Sequence, residues 1–273
     1  MKLKQLLIVF LTFTLVLSCK TSPFTGKKTF NAYSNEQIFP ASFQQYNQFL
    51  SENNVVRGTS EAAEVKRVGD RIAVAAERYM TALGYPNYLD DYQWEYNLIK
   101  DDAVNAFCMP GGKIVVFTGL LPVAETEAGL AMVMGHELAH AMANHGAQRM
   151  TASQAQGLGA VAGSILIGND PQKQQIFNQA YGLSTTVGGM LPFSRSHENQ
   201  ADEIGTIIAA IAGYDPYAAI SLWERMRAAS GGQAPPEFLS THPSADTRIA
   251  RLKEIAPRAV AEAKKFGVNP TQD

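Results

Sequence analysis

The sequence of 273 residues has only two cysteines, and only 18% of its residues are charged. Two cysteines exclude a small domain held together by several disulfides. The formal net charge is −2 and the basic residues form no block, which argues against a protein that binds nucleic acid through its phosphates. Apolar residues make up 46% of the chain, so the sequence predicts a globular protein with a sizeable core and no nucleic-acid partner.

The N-terminus lacks an apolar run long enough to cross a membrane. The run Leu6–Leu17 has about 12 residues, whereas a spanning helix needs about 20. Lys2 and Lys4 precede this run and Cys19 follows it, an order typical of a secretory signal peptide. The segment VLSC, which ends at Cys19, resembles the bacterial lipobox. This resemblance predicts a signal peptide over 1–18 and a lipid on Cys19.

The alternatives are an uncleaved anchor, or an ordinary signal peptide followed by a chance cysteine. By resemblance to Gram-negative lipoproteins, Lys20 rather than an aspartate after Cys19 favours the periplasmic face of the outer membrane. If Cys19 carries lipid, Cys108 has no partner in the chain. We interpret Cys108 as a packed small residue rather than a nucleophile, because no base accompanies it in the sequence.

Hydrophobic periodicity predicts a mainly helical α+β protein. Helices are predicted over 36–52, 60–83, 125–149, 195–211, 216–229 and 244–265. Strands are predicted over 93–99 and 113–118, and the polar segment 20–35 is interpreted as a tether. We therefore expect a region over 19–57, comprising the lipidated tether and an N-terminal helix, followed by one domain over 58–273.

The helix predicted over 125–149 contains His136-Glu137-Leu138-Ala139-His140. Residues i and i+4 lie on one face of a helix, about 6 Å apart along its axis, so both imidazoles can bind one zinc ion. Glu137 lies beside them, where a carboxylate can take a proton from zinc-bound water. The neighbouring residues are apolar, and burying these three side chains without a metal would be costly, which argues against a chance pattern.

A catalytic zinc needs a third protein ligand, and the residues downstream of His140 narrow the choice. Position 146 is Gly146 rather than a histidine, which excludes the metzincin arrangement. No glutamate occurs between Glu137 and Glu198, which excludes the thermolysin spacing. Glu198 is therefore the predicted third ligand.

Asp202 lies four residues after Glu198 and shares its helical face. It is predicted to accept a hydrogen bond from the far nitrogen of a ligand histidine and so to fix its tautomer. Gly205 and Ala209 continue this stripe, and small residues there would let the helix approach the zinc helix closely. Taken alone, the two acidic residues could instead form a solvated face. His145 points away from the histidine pair and is interpreted as structural.

The sequence contains four motifs in the order NAFCMPGGKIVVFTGLL, HELAH, RSHENQADEIG and THPSADTRI. Together they resemble the M48 peptidases, the Ste24- and Oma1-like gluzincins, over about residues 60–255. The chain is similar in particular to the small periplasmic lipoprotein members. The resemblance implies a zincin-like metalloprotease domain whose small sheet has an edge strand beside the active site. It also implies one Zn2+ per chain, bound by His136, His140 and Glu198, with Glu137 as the general base.

The resemblance further implies that Asn105, Ala106 and Phe107 belong to the edge strand and pair with an extended substrate. His242, which lies in a loop before the last helix, would lie over the active site. There it could stabilise the oxyanion or occupy the open position of zinc, whereas read alone it is a surface histidine. Arg248 would orient His242 or bind substrate.

Together these features predict a zinc endopeptidase attached by lipid to the periplasmic face of the outer membrane, where it degrades misfolded or damaged envelope proteins. The expected partners are unfolded or extended polypeptides and the membrane, through Cys19. The alternative is a non-proteolytic chaperone or assembly factor for outer-membrane proteins, with the envelope assembly machinery as partner, and a latent protease lies between the two. Glu137 argues against the chaperone, since a structural zinc site needs four protein ligands and no base.

Overall fold

The computed structural model describes residues 19–167, 171–176, 191–229, 242 and 245–270. The signal peptide predicted over 1–18 lies outside these residues. The chain forms two compact units, of which one comprises Met1–Ser34 with Asn144–His197 and the other Asn35–Ala143 with Glu198–Asp273. Among the described residues, no helix combines the length and apolar character that crossing a membrane requires.

The described part of the chain is mainly helical, with a few short strands. In chain order the elements are β1 (Cys19–Thr21), β2 (Lys28–Phe30), α1 (Asn35–Glu52), β3 (Val55–Val56), α2 (Ser60–Ala82), β4 (Glu95–Ile99), β5 (Ala106–Met109), β6 (Lys113–Phe117), α3 (Leu121–Ala124), α4 (Glu127–Met142), α5 (His145–Ile167), α6 (Leu191–Ile211), α7 (Ala218–Ala229) and α8 (Ala245–Lys265). A 3-10 turn, Thr118–Leu120, precedes α3, and residues 171–176 are also helical. The predicted α+β class is confirmed.

The smaller unit contains β1, β2 and α5. The two strands pair antiparallel, and apart from Cys19 their residues belong to the segment 20–35 that was predicted to be a tether. The backbone N–H of Ala32 donates to Thr151 Oγ1 at 3.1 Å, and the Tyr33 hydroxyl donates to Gln154 Oε1 at 3.1 Å. These bonds fold part of the predicted tether onto α5. In the same unit His145 is fully buried, and its ring stacks on the ring of His197, which agrees with the interpretation of His145 as structural.

The larger unit is built on a four-stranded sheet in the order β3-β4-β6-β5. β4 and β6 pair parallel, while β3 and β5 pair antiparallel at the two edges. Every residue of β6 is buried. Tyr46 of α1 forms one buried cluster with Val115 and Phe117 of β6. The sheet is therefore anchored on α1, and β5 forms one of its edges as the resemblance implied.

The helix α4 lies in the centre of the larger unit, and its residues Ala128 to Met142 are all buried. The N–H of Gly129 donates to the side chain of Thr126, which caps the helix. Glu127 follows in the first turn, where the helix dipole favours a carboxylate, and it pairs with Arg67 at 2.6 Å. These local interactions fix where the helix begins, so the position of its histidines in the core is fixed as well.

The prediction of one continuous helix over 125–149 is wrong, because α4 ends at Met142 and α5 begins at His145. Asn144 has a φ of 55°, a left-handed conformation that interrupts an α-helix. The hydroxyl of Tyr88 donates to the carbonyl oxygen of Met142 at 2.7 Å. This bond satisfies one of the carbonyl groups that the end of a helix leaves without a partner.

The helices α4 and α6 are in direct backbone contact at Gly135 and Gly205. A Cβ atom on Gly205 would lie 2.7 Å from the carbonyl group of Gly135 and from the N of His136. A Cβ atom on Gly135 would lie 2.8 Å from the Gly205 oxygen. No side chain fits between the two backbones at this point. The close approach predicted from the small residues of α6 is thus present at Gly205.

We expect the substitution Gly205→Ala to destabilise the protein by forcing the two helices apart. Its new methyl group would meet backbone atoms that cannot rotate away, so the free energy of unfolding should fall by about 1–3 kcal/mol. Gly157→Ala is the matched control, because a Cβ atom on this helical glycine of α5 meets nothing within 4 Å. That control should be neutral or stabilising by up to about 1 kcal/mol. Urea titration measures both, and equal stabilities for the two variants would contradict the close packing.

Candidate metal centre

Four buried side chains of the larger unit converge on one point. His136 and His140 lie one turn apart on α4, Glu198 comes from α6, and His242 lies shortly before α8. One possible ligand atom from each residue lies within 4.8 Å of the others. The structure therefore brings together the three predicted metal ligands and the histidine that the resemblance assigned to the active site.

The distances within this cluster fit a metal ion. His136 Nε2 lies 3.0 Å from His140 Nε2 and 3.2 Å from His242 Nδ1. The Glu198 carboxylate oxygens lie 3.4 Å from Nε2 of His136 and of His140, and 2.7 Å from His242 Nδ1. Donors about 2.1 Å from one tetrahedral ion are about 3.4 Å from each other. Most of the observed separations are close to that value.

Two carboxylate oxygens at the cluster also lack a hydrogen-bond donor among the described residues. Glu198 Oε1 and Glu137 Oε1 are buried, and neither makes a hydrogen bond to a described residue. A buried oxygen without a donor is costly. Glu137 Oε1 lies 3.4 Å from His242 Nε2, too far for a strong hydrogen bond. A bound cation and its water would supply the interactions that these oxygens lack.

The ligand side chains differ in protonation. Burial lowers the pKa of His140 to about 3, so its imidazole is neutral, the form that binds a metal. Burial and Arg248 act to lower the pKa of His136, but hydrogen bonds to Asp202 and Glu198 outweigh them and raise it to about 9. The histidines likewise hold the pKa of Glu198 well below its usual range despite its burial. A metal ion would therefore displace a proton when it binds.

Asp202 and Arg248 lie behind His136. Asp202 Oδ1 is 3.1 Å from His136 Nδ1, the far nitrogen at which the spacing placed it. Arg248 binds both Asp202 oxygens through Nε, at 2.8 Å, and Nη2, and it binds Glu198 Oε2 through Nη1 at 3.1 Å. Burial acts to raise the pKa of Asp202, but Arg248 and His136 outweigh it and lower this pKa to about 2. Asp202 is therefore a carboxylate that can orient His136.

Arg248 was expected to orient His242 or to bind substrate. It is only 2% exposed, and its guanidinium group contacts Asp202, Glu198 and His136 Nδ1, the last at 3.1 Å. This burial favours an orienting role over contact with substrate. The groups that Arg248 orients are the two carboxylates and, through them, His136.

The edge strand β5 packs against α4, the helix that carries Glu137. The N–H of Phe117 donates to the Asn105 oxygen, so Asn105 and Phe107 are bonded to β6. In an antiparallel ladder the alternate residues then direct their N–H and C=O groups to the other edge. These residues are Ala106 and Cys108, and no described strand pairs with them there.

In this register the outward backbone groups of β5 belong to Ala106 and Cys108, whereas those of Asn105 and Phe107 are directed to β6. Of the three residues that the resemblance assigned to substrate pairing, Ala106 is thus the one whose backbone groups face outward, and the pairing itself stays a prediction. The side chain of Phe107 packs against the buried cluster around Phe117. Burial, together with the charge of Glu137, raises the pKa of the Cys108 thiol. A protonated thiol is unreactive, which agrees with the interpretation of Cys108 as a packed residue.

Comparison with known sequences gives a family match that includes the residues of this cluster. The model of peptidase family M48 matches residues 59–256, a range that includes the whole cluster. The chain is 40% identical over 173 residues to the mitochondrial metalloendopeptidase OMA1 of Schizosaccharomyces pombe, an alignment that covers 63% of this chain and 49% of that protein. It is 31% identical over 182 residues to the beta-barrel assembly-enhancing protease of Escherichia coli, covering 63% and 37%.

The mitochondrial metalloendopeptidase OMA1 of Homo sapiens is 28% identical over 247 residues, covering 88% of this chain and 46% of the human protein. The chain thus spans about half the length of these curated relatives, or less. The family model nevertheless covers most of the chain, and it contains the histidine pair of α4, the carboxylates of α6 and the edge strand. The chain belongs to peptidase family M48.

Proposed function

We propose that the protein is a zinc endopeptidase that cleaves polypeptides held in extended conformation along β5. The observation that carries this proposal is the buried set of His136, His140 and Glu198 with Glu137 beside it. Two imidazoles and one carboxylate form the ligand set of a catalytic zinc site. Zinc bound there would polarise a water molecule and lower its pKa to about 7.

In this proposal Glu137 acts as the general base of the hydrolysis. It follows His136 on α4 and is only 5% exposed, so its carboxylate lies in a site from which bulk water is largely excluded. Its Oε1 makes no hydrogen bond to a described residue and is available to accept a proton from the attacking water. The same carboxylate can then give that proton to the leaving amine.

The substrate class follows from β5. Its outward N–H and C=O groups at Ala106 and Cys108 can pair with the main chain of a substrate, as a strand added to the sheet does. Main-chain hydrogen bonds do not distinguish side chains, and a folded protein rarely offers an unpaired extended segment. Misfolded or damaged proteins are therefore the proposed substrates.

A latent form of the enzyme is a second candidate, and the position of His242 favours it. His242 Nδ1 lies 2.7 Å from Glu198 and 3.2 Å from His136, inside the set of ligand atoms. Four protein ligands close a metal site, whereas catalysis needs a position for water. In this form His242 must move before cleavage, and it could then stabilise the oxyanion. A chaperone that keeps a closed zinc site is the third candidate, and Glu137 argues against it.

The proposed location is the periplasmic face of a bacterial outer membrane, with a lipid on Cys19. Three features of the sequence favour this location: the VLSC segment, Lys20 after the cysteine, and the N-terminal apolar run. One relative is named a beta-barrel assembly-enhancing protease, which favours envelope proteins as substrates and the envelope assembly machinery as a partner. Other relatives are mitochondrial by name, so the location of this chain rests on its own N-terminus.

The substitution Glu137→Gln tests the proposed chemistry. We expect it to keep one zinc per chain and to lower the rate of casein cleavage by about 100-fold to 10,000-fold, since it removes the general base but no ligand. A chelator should abolish cleavage by the wild type. Glu125→Gln is the matched control, because Glu125 lies just before α4 and is well exposed; it should cleave like the wild type.

Cleavage that survives Glu137→Gln would overturn the role of Glu137. Zinc binding with no cleavage by either protein would favour the latent form, and His242→Ala should then switch cleavage on. An inactive, zinc-loaded His242→Ala protein would leave two candidates, the chaperone and a latent protease that needs His242 to stabilise the oxyanion.

The substitution Cys19→Ser tests the lipid anchor. In a Gram-negative host we expect it to abolish incorporation of labelled palmitate and to move the protein from the membrane fraction to the soluble fraction, because the acyl chains supply the membrane affinity. Cys108→Ser removes the other cysteine and should leave labelling and fractionation unchanged. A Cys19→Ser protein that is still labelled would contradict the proposed lipobox.

A further inference from the structure

The helix α7 reaches the metal centre through Trp223. The Cζ atom of Arg248 lies 3.7 Å from the centre of the Trp223 ring. Both side chains are buried, at 4% and 2% exposure. None of the four cluster residues lies on α7. Trp223 therefore contacts the group that binds Asp202 and Glu198, although its own helix provides no ligand.

The geometry of a guanidinium group explains what this contact does. Its five N–H donors lie in one plane, while its face can stack on an aromatic ring. In Arg248 these in-plane donors are directed to Asp202 and Glu198. The indole ring of Trp223 covers a face and competes for none of the donors. Stacking and hydrogen bonding thus act on the same group without conflict.

The orientation of Arg248 matters because both carboxylates belong to the metal centre. Glu198 is one of the predicted ligands, and Asp202 contacts the far nitrogen of His136. If the guanidinium group rotated out of its plane, two buried carboxylates would lose a charged partner, which is costly. Trp223 also lines the same small cavity as His136 and Asp202, so a smaller residue would leave room for that rotation.

We propose that Trp223 is a positioning residue of the metal centre. By stacking on Arg248 it holds the guanidinium group in the plane that joins Asp202 to Glu198, and so keeps His136 and Glu198 in the orientation that binds the metal. This inference rests on the proposed function, in which the cluster binds zinc. In this role Trp223 acts through Arg248, on which its ring stacks.

The test compares Trp223→Leu with Trp223→Phe in the full chain. The zinc dissociation constant is measured by competition with a chromogenic chelator. Loss of a contact that orients the metal ligands from behind typically weakens metal binding by about 10-fold to 100-fold. We expect Trp223→Leu to raise the zinc dissociation constant by an amount in that range. Trp223→Phe keeps an aromatic face, so its affinity should stay within about threefold of the wild type.

The control is Trp94→Leu, the same change at the other tryptophan of the chain. Trp94 packs on the ring of Tyr92, with ring centres 5.1 Å apart, in the region of the sheet. Its replacement should lower the Tm, because it removes the packing of a half-buried aromatic side chain, but it should leave the zinc dissociation constant unchanged. The comparison separates loss of stability from loss of positioning.

A double-mutant cycle with Arg248→Lys tests whether Trp223 acts through Arg248. Lysine keeps the charge but has no planar fork, so Arg248→Lys should itself weaken zinc binding. Adding Trp223→Leu to it should then have little further effect. Wild-type zinc affinity in Trp223→Leu, equal losses in the Leu and Phe variants, or additive losses in the cycle would each overturn the proposal. A wild-type chain that binds no zinc would instead refute the proposed function, and the positioning role with it.

Discussion

The backbone contact between α4 and α6 is the constraint on which the metal centre depends. The histidines belong to one helix and the carboxylates to the other, and at Gly135 and Gly205 no side chain separates the two. A metal site tolerates displacements of only about 0.2 Å in its ligand distances. A methyl group at the crossing would separate the helices by more than that. Two glycines that carry no chemistry thus decide whether His136 and Glu198 can share an ion.

The second constraint is the balance of charge in the core. Glu137, Glu198 and Asp202 are three buried acidic residues within a short distance of one another, and Arg248 is a buried cation that contacts two of them. Burying unpaired carboxylates is strongly unfavourable. Arg248 pairs with the two carboxylates of α6, whereas Glu137 Oε1 has no hydrogen-bond donor among the described residues. The same arrangement therefore stabilises the two carboxylates of α6 and leaves Glu137 available for its proposed role as the base.

The parts of the site that depend on local spacing could be predicted from the sequence. His136 with His140, and Glu198 with Asp202, are four residues apart, and a helix alone places each pair on one face. The break at Asn144 could not be predicted, because its left-handed backbone stands between two stretches that both have helical periodicity. The register of β5 depends on which residue bonds to Phe117, which no residue pattern shows. The sequence could not place Trp223 against Arg248 either, since their contact joins two helices through tertiary packing.

Under the proposed function, substrate recognition by β5 and the position of His242 both bear on one physical problem, the control of an enzyme that recognises only the main chain of its substrate. A strand edge that paired with the substrate main chain at Ala106 and Cys108, as proposed, could not select a substrate by its side chains. Under the proposed function, an enzyme with so little discrimination would need a restraint elsewhere, and every substrate would have to reach the metal centre. His242 Nδ1 lies among the ligand atoms there, where a fourth protein ligand excludes the water that cleavage requires. In the proposed latent form, the residue that blocks the metal site would also be the one that stabilises the oxyanion after it moves, so selectivity would be exercised through the state of the metal site rather than through a specificity pocket.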